Sequence, residues 1–306
     1  MAMKEVIFSA PGAGLGHLLR CSALCLALKK YTIPSRIITN SIFAEGCARI
    51  TGLYIDYIAS KNWTHYVLRY FKEMEPSIVV LDSFPWGLRG EWRNTTGIRL
   101  KFIYLARRLN VRTYLETIGM KQWDIQAPQV QCIITLEPLT PEHLALLNQA
   151  KIEIHSLKGR IRFPGHLFPL PIPHRLDEML HTKKVRLVVH SGPLHEVHRL
   201  VQKSCKRITM QKNSEEHIAL ILPFAEEIPG YESFAYFPAQ NLYPLAYRIV
   251  TAAGYNSVAE TTQFKKKRIL LPLKRTYDDQ CGRIRTSTWG SNSATERAAE
   301  IIASHM

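Results

Sequence analysis

Apolar residues in the first half of the chain fall into short runs of strand length, set between stretches where they recur at helical spacing. Strands are predicted at Glu5–Ser9, Ser35–Thr39, Tyr54–Ile58, Ser77–Leu81, Arg112–Glu116, Val130–Thr135 and Ile152–His155, with helices such as His17–Lys30 and Trp63–Met74 between them. Such alternation builds a parallel sheet. The pattern stops at Phe163–Pro173, FPGHLFPLPIP, whose prolines and glycine do not make a regular element. A second alternating series follows at Val185–His190, His217–Leu222, Ser233–Phe237, Arg248–Thr251 and Arg268–Leu273, closed by a helix over Thr295–Ala303. The expectation is an α/β protein of two domains, residues 1–163 and 184–306, joined by a proline-rich linker over residues 164–183.

The length of 306 residues suits two hydrophobic cores. Six dispersed cysteines without a CxxC pair fit buried thiols in a reducing cytoplasm better than a metal site or a disulfide scaffold. The apolar stretch after Lys4 is interrupted by Pro11, Gly12, Gly14 and Gly16 before it reaches signal-peptide length, and no run of membrane-spanning length occurs. The formal net charge is +15, spread over both halves of the chain, with no basic tail. Such a field attracts a phosphorylated small substrate, an anionic membrane surface or nucleic acid, and it also occurs in proteins that use it for none of these. Specific nucleic-acid binding is not expected; a peripheral location on the inner face of a membrane is one option.

Two segments carry candidate chemistry. The first strand runs into Pro11-Gly12-Ala13-Gly14-Leu15-Gly16-His17, where glycines let the backbone approach a ligand and the next helix points its positive end at the same place. A histidine there is biased toward its neutral form, as a general base near neutral pH requires, although a lone histidine also serves in packing or capping. The second segment is Ile249 to Gln280. A short strand leads through Ala253-Gly254 to a helix that Asn256 or Ser257 is expected to cap and that reaches Phe264, with Glu260 about one turn in. Asp278-Asp279-Gln280 follows the next strand, at the kind of sheet edge where open α/β folds bind ligands.

The Gly-His loop at residues 12–17, the pattern A-G-Y-N-S-V-x-E at 253–260 and D-D-Q at 278–280 together resemble the GT-B class of glycosyltransferases. The resemblance is nearest to the lipid-linked peptidoglycan N-acetylglucosaminyltransferase and related UDP-sugar hydrolases. It implies two Rossmann-like domains facing each other across a cleft, with the nucleotide-sugar donor on the C-terminal domain and the acceptor and a catalytic histidine on the N-terminal one. Carried onto this chain, it makes His17 the base and places Gly14 and Gly16 in its loop. Glu260 then holds the ribose hydroxyls, Asp279 and Gln280 the donor sugar, and Gly254, Asn256 and Ser257 the diphosphate side. A UDP-sugar donor, inversion at the anomeric carbon and an acceptor that is lipid-linked or a small molecule are the corresponding expectations. Gly16-His17-x-x-Arg20 is similar to the hydrolase branch as well, in which water is the acceptor.

Other positions have both a functional and a structural reading. Ser191 and Gly192 follow a strand and precede a helix, which suits a phosphate, although Pro193 removes one amide donor. Asp82 lies at a strand end, placed to orient His17, to act as the base itself or to cap a turn. Trp86 and Trp92, near Gly87, Gly90 and Glu91, suit either stacking on an acceptor or packing into the core. His195 and His198 lack a third ligand at suitable spacing, and no Asp-x-Asp occurs, so neither a metal nor any other cofactor is expected. Lys265-Lys266-Lys267-Arg268 reads as a solvated turn or as a positive field around a diphosphate.

Overall fold

The computed structural model describes residues 5–12, 14–94, 100–120, 129–206, 216–223, 228–286 and 292–306. Two compact units emerge. The first comprises Met1–Phe163, Arg275–Gly282 and Thr286–Met306, and the second comprises Pro164–Lys274 and Arg283–Arg285.

In the first unit the chain runs β1 (Val6–Ala10), α1 (Leu15–Leu28), β2 (Ser35–Thr39), α2 (Ala44–Thr51), β3 (Tyr54–Tyr57), α3 (Trp63–Met74) and β4 (Ile78–Asp82). It continues through β5 (Phe102–Ala106), α4 (Val111–Thr117), β6 (Val130–Thr135), α5 (Pro141–Gln149) and β7 (Glu153–Ser156). The strands form one seven-stranded parallel sheet in the order β3-β2-β1-β4-β5-β6-β7. β1, β4 and β5 are buried at every position, which explains their unbroken apolar runs. The apolar stripe of α3 enters this core through Trp63, Val67 and Phe71, beside Trp92 and Phe102.

The second unit contains α6 (His174–Thr182), β8 (Lys184–Val189), α7 (Leu194–Lys206), β9 (Glu216–Leu222), β10 (Glu232–Ala235), β11 (Arg248–Ala252), α8 (Tyr255–Glu260) and β12 (Arg268–Leu271). Its five strands are parallel in the order β10-β9-β8-β11-β12. Two further helices close the chain, α9 (Gln280–Arg285) and α10 (Thr295–Ser304). Both units share one topology: the second strand lies outside the first, and the fourth pairs with the first on its other side.

Three expectations need correction. Arg112–Glu116 is helical, part of α4, because Val111, Tyr114, Leu115 and Ile118 recur at helical spacing and are buried; the strand in this region is β5. Residues 164–183 are not a free linker. After the proline segment they form α6, whose Leu176, Met179 and Leu180 join the second unit's core. The end of the chain does not stay with the second unit, since α10 packs on α1 and buries Ala298, Ala299 and Ile302 in the first. Of the two readings open for Trp86 and Trp92, packing into the core is the one observed, since each is only 1% exposed.

Ile302 is fully buried in α10. Ile302→Ala is expected to cost about 2–4 kcal/mol. Hydrogen exchange should rise in α1 and the first sheet, while β8 and β11 keep their protection.

Candidate active site

The site in the first unit is assembled at the carboxyl ends of four neighbouring strands, β2, β1, β4 and β5. The strand order reverses between β1 and β4, which is where an open α/β sheet leaves a crevice for ligands. Gly12 follows β1 with φ +139°, a conformation that favours glycine, and a Cβ there would lie 3.0 Å from His17 Cδ2. Its amide donates to Asn40 Oδ1 at 2.6 Å, just beyond β2, and Asn40 Nδ2 donates to Ser60. Gly14 takes the N-cap position of α1 without a side-chain cap, and Gly16 lies in the first turn with open space around its Cα. Ala13 lies outside the described residues.

His17, the third residue of α1, points its Nδ1 at Asp82 Oδ2, 2.8 Å away, and its side chain is 16% exposed. Asp82 is buried and faces Arg20, whose Nε donates to Oδ1 at 2.8 Å and whose Nη2 donates to Oδ2 at 2.6 Å. Burial alone would raise the carboxyl pKa, but Arg20 and then His17 outweigh it and hold the group well below the usual carboxylate range. An ionised Asp82 only accepts hydrogen bonds, so the His17 proton sits on Nδ1 and Nε2 keeps its lone pair. The imidazole pKa is lowered, chiefly by burial and further by the charges of Arg20 and Arg107, against the opposing pull of Asp82. His17 is thus held in a fixed orientation with its neutral form favoured, and its ring stacks on Phe84 with centroids 5.7 Å apart.

Ser83 explains how Asp82 is held. Its φ of +72° is strained for a residue with a side chain, and it is fully buried. Arg20 Nη2 donates to its Oγ, Tyr104 OH donates to its carbonyl at 3.2 Å, and its amide donates to Leu105 O. Two neighbours therefore hold the Ser83 backbone and Arg20 holds its side chain, next to the carboxylate.

Beyond β5, Arg107 reaches Asp278 at 3.0 Å and Arg108 reaches Asp279 at 2.7 Å. Asp279 Oδ1 also accepts from the Gly282 amide at the start of α9. Residues 275–282 accordingly belong to the first unit, and the Asp279 carboxylate expected to meet a donor sugar is engaged by Arg108 and the helix start. Gln280 is buried at the same helix start.

In the second unit, β8 and β11 pair at the corresponding reversal of strand order, so Ser191 and Gly254 follow adjacent strand ends. His190 Nε2 lies 2.7 Å from Glu196 Oε2, and a Cβ on Gly192 would fall 2.4 Å from the first and 2.6 Å from the second. A side chain there would displace the His190–Glu196 contact. Gly254, not Asn256 or Ser257, caps α8. The α-helix ends at Glu260 and a 3-10 turn carries on to Phe264, so Glu260 sits in its last turn. Tyr243 OH donates to Glu260 Oε2 at 3.4 Å, and burial pushes the carboxyl pKa up to about 7 against that bond. His198 packs against Tyr231. Among the described residues no three His, Cys, Asp or Glu side chains are grouped to hold a metal ion.

The sequence gives Asn40, Arg107 and Tyr243 no role, and names Arg20 only within Gly16-His17-x-x-Arg20, without its partner Asp82. Arg20 had a signal: it lies three residues after His17, on the same helix face, amid apolar neighbours. Arg107 had none, because the strand that presents it was not predicted.

No protein-family model and no curated protein matches the chain. Solved structures do. Glycosyltransferase SnogD from Streptomyces nogalater is similar over 99% of this chain and 94% of its own, with TM-score 0.52 and 14% identity. The spinosyn rhamnosyltransferase SpnG, complexed with thymidine diphosphate, matches over 99% and 95%, with TM-score 0.53 and 12% identity. S. aureus MnaA, in a co-structure with UDP, matches over 98% and 88%, with TM-score 0.64 and 11% identity. The fold is that of the GT-B glycosyltransferases, α/β with two parallel sheets.

A histidine whose pKa is lowered on folding contributes stability that is full above its ordinary value of 6.5 and declines as pH falls toward the folded value. Chemical denaturation across that window should show the decline, and His17→Gln should flatten it. Asp82→Asn leaves Arg20 buried without its counter-charge and should cost about 3–5 kcal/mol.

Proposed function

We propose that the protein moves a sugar from a nucleotide-sugar donor, a UDP-sugar first of all, to an acceptor hydroxyl with inversion at the anomeric carbon. The observation that carries this reading is the His17–Asp82–Arg20 arrangement, which leaves one imidazole nitrogen basic in a partly desolvated site. In the proposed step His17 Nε2 takes the proton of the acceptor hydroxyl as its oxygen attacks the anomeric carbon. The bond from that carbon to the diphosphate oxygen breaks, and the diphosphate leaves with the electron pair. Asp82 stabilises the imidazolium that forms. The second unit takes the nucleotide: Glu260 accepts from the ribose hydroxyls, while the turns at Ser191-Gly192 and Gly254-Tyr255-Asn256-Ser257 face the phosphates with backbone amides and small side chains. Metal enters none of these steps. Nucleotide diphosphates in the structures of SpnG and MnaA support a donor of this class. The cysteines, all free thiols, support a cytoplasmic setting.

Hydrolysis, with water in place of the acceptor, is the second reading. Arg20 favours it, because Gly16-His17-x-x-Arg20 resembles the hydrolase branch and this arginine holds the carboxylate of the base. Incubating the protein with UDP-sugars alone separates the two. Rapid UDP release assigns the hydrolase, and donor binding without turnover assigns the transferase.

Calorimetry with UDP tests the donor site; absence of binding, or binding unchanged in Glu260→Ala, would overturn it. Because Glu260 ionises near 7, UDP affinity should fall as pH drops below 7, by up to about tenfold per unit, and Glu260→Gln should bind weakly with a flat profile. His17→Ala is expected to lower kcat by about 10²–10⁴-fold with UDP affinity retained.

A further inference from the structure

Parallel strands have one edge where all of them end and one where all of them begin. In the second unit the ending edge carries Ser191 and Gly254, which follow β8 and β11. The beginning edge has a different composition. β8 starts at Lys184 after Lys183, β11 at Arg248, and β12 at Arg268 after Lys265-Lys266-Lys267, and β8, β11 and β12 are neighbours in the sheet. Lys183, Lys184, Lys265 and Lys266 are exposed. Two of the acidic residues at this edge are neutralised locally. Glu216 is buried against Arg186 and Arg248, and Glu232, at the start of β10, pairs with Arg175.

Apolar surface is interleaved with this charge. Leu245 is 39% exposed and Tyr247 41%, in the loop that leads into β11. Lys267 ties the loop down by donating to the carbonyls of Pro244 and Ala246, each at 2.9 Å. The Tyr247 ring has Lys184 Nζ 5.7 Å from its centroid and Arg248 Cζ 5.4 Å away.

We infer that this edge is a docking surface for an anionic lipid bilayer. Long lysine stems that reach a charged plane, with a leucine and a tyrosine between them, match a headgroup layer over an apolar interior. Nucleic acid fits less well, because base stacking needs an open aromatic face and the Tyr247 ring already has two cations on it. Binding here leaves the opposite edge of the same sheet, with Ser191 and Gly254, turned away from the lipid. The inference is independent of the transfer reaction.

Co-sedimentation with vesicles tests it. The full chain should bind phosphatidylcholine vesicles containing phosphatidylglycerol, should not bind phosphatidylcholine alone, and should lose binding as salt rises. Lys183→Glu/Lys265→Glu/Lys266→Glu, all at exposed positions, should weaken partitioning on the order of 100-fold. Lys72→Glu/Lys101→Glu/Lys151→Glu, an equal charge reversal on exposed lysines of the first unit, should bind like the wild type. No binding to anionic vesicles, an equal loss in both variants, or retained binding in the first would overturn the proposal. So would salt-dependent binding to duplex DNA or single-stranded RNA with none to vesicles. Matching melting temperatures establish that both variants are folded.

Discussion

The buried pair of Arg20 and Asp82 is the interaction on which the candidate site depends. A carboxylate this deeply buried would take up a proton if it were alone, and a protonated Asp82 would not fix the tautomer of His17. Arg20 prevents this with two short hydrogen bonds from within the same helix. The cost of burying both charges is offset only while their geometry is kept, and Ser83, Tyr104 and the β5 backbone keep it. A site on the surface would need none of this and would hold its histidine less firmly.

Parallel topology does the rest of the positioning. Every strand end faces the same way, so loops far apart in sequence, at Gly12, Asn40, Asp82 and Arg107, become neighbours without any long excursion of the chain. Both units repeat the arrangement, and in each the candidate residues flank the reversal of strand order. The strand beginnings are left to a separate use, and in the second unit they concentrate lysine.

Much of this was legible from periodicity. The boundaries of β2, β6 and α3 coincide with the apolar pattern, because each element buries the residues that define its period. Region 100–117 was misread. There Phe102–Ala106 is a continuous apolar run that periodicity does not separate from a helix, and Val111–Thr117 mixes β-branched and polar residues in a way that imitates a strand. The proline segment holds a short 3-10 turn at Gly165–Leu167, and its continuation into α6 depended on Leu176 and Leu180 finding a core made by distant strands.

Local sequence determined the alternation of strands and helices, the glycine turn before His17 and the presence of Glu260 on a short helix, since each rests on backbone preference or spacing over a few residues. Only tertiary structure decided that Asp82 orients toward His17, that Arg20 charges the pair, that Asp278 and Asp279 are held by Arg107 and Arg108, and that α10 returns to α1. Those contacts join residues tens to hundreds of positions apart. Their partners are chosen by strand order and burial, which no short window of sequence contains.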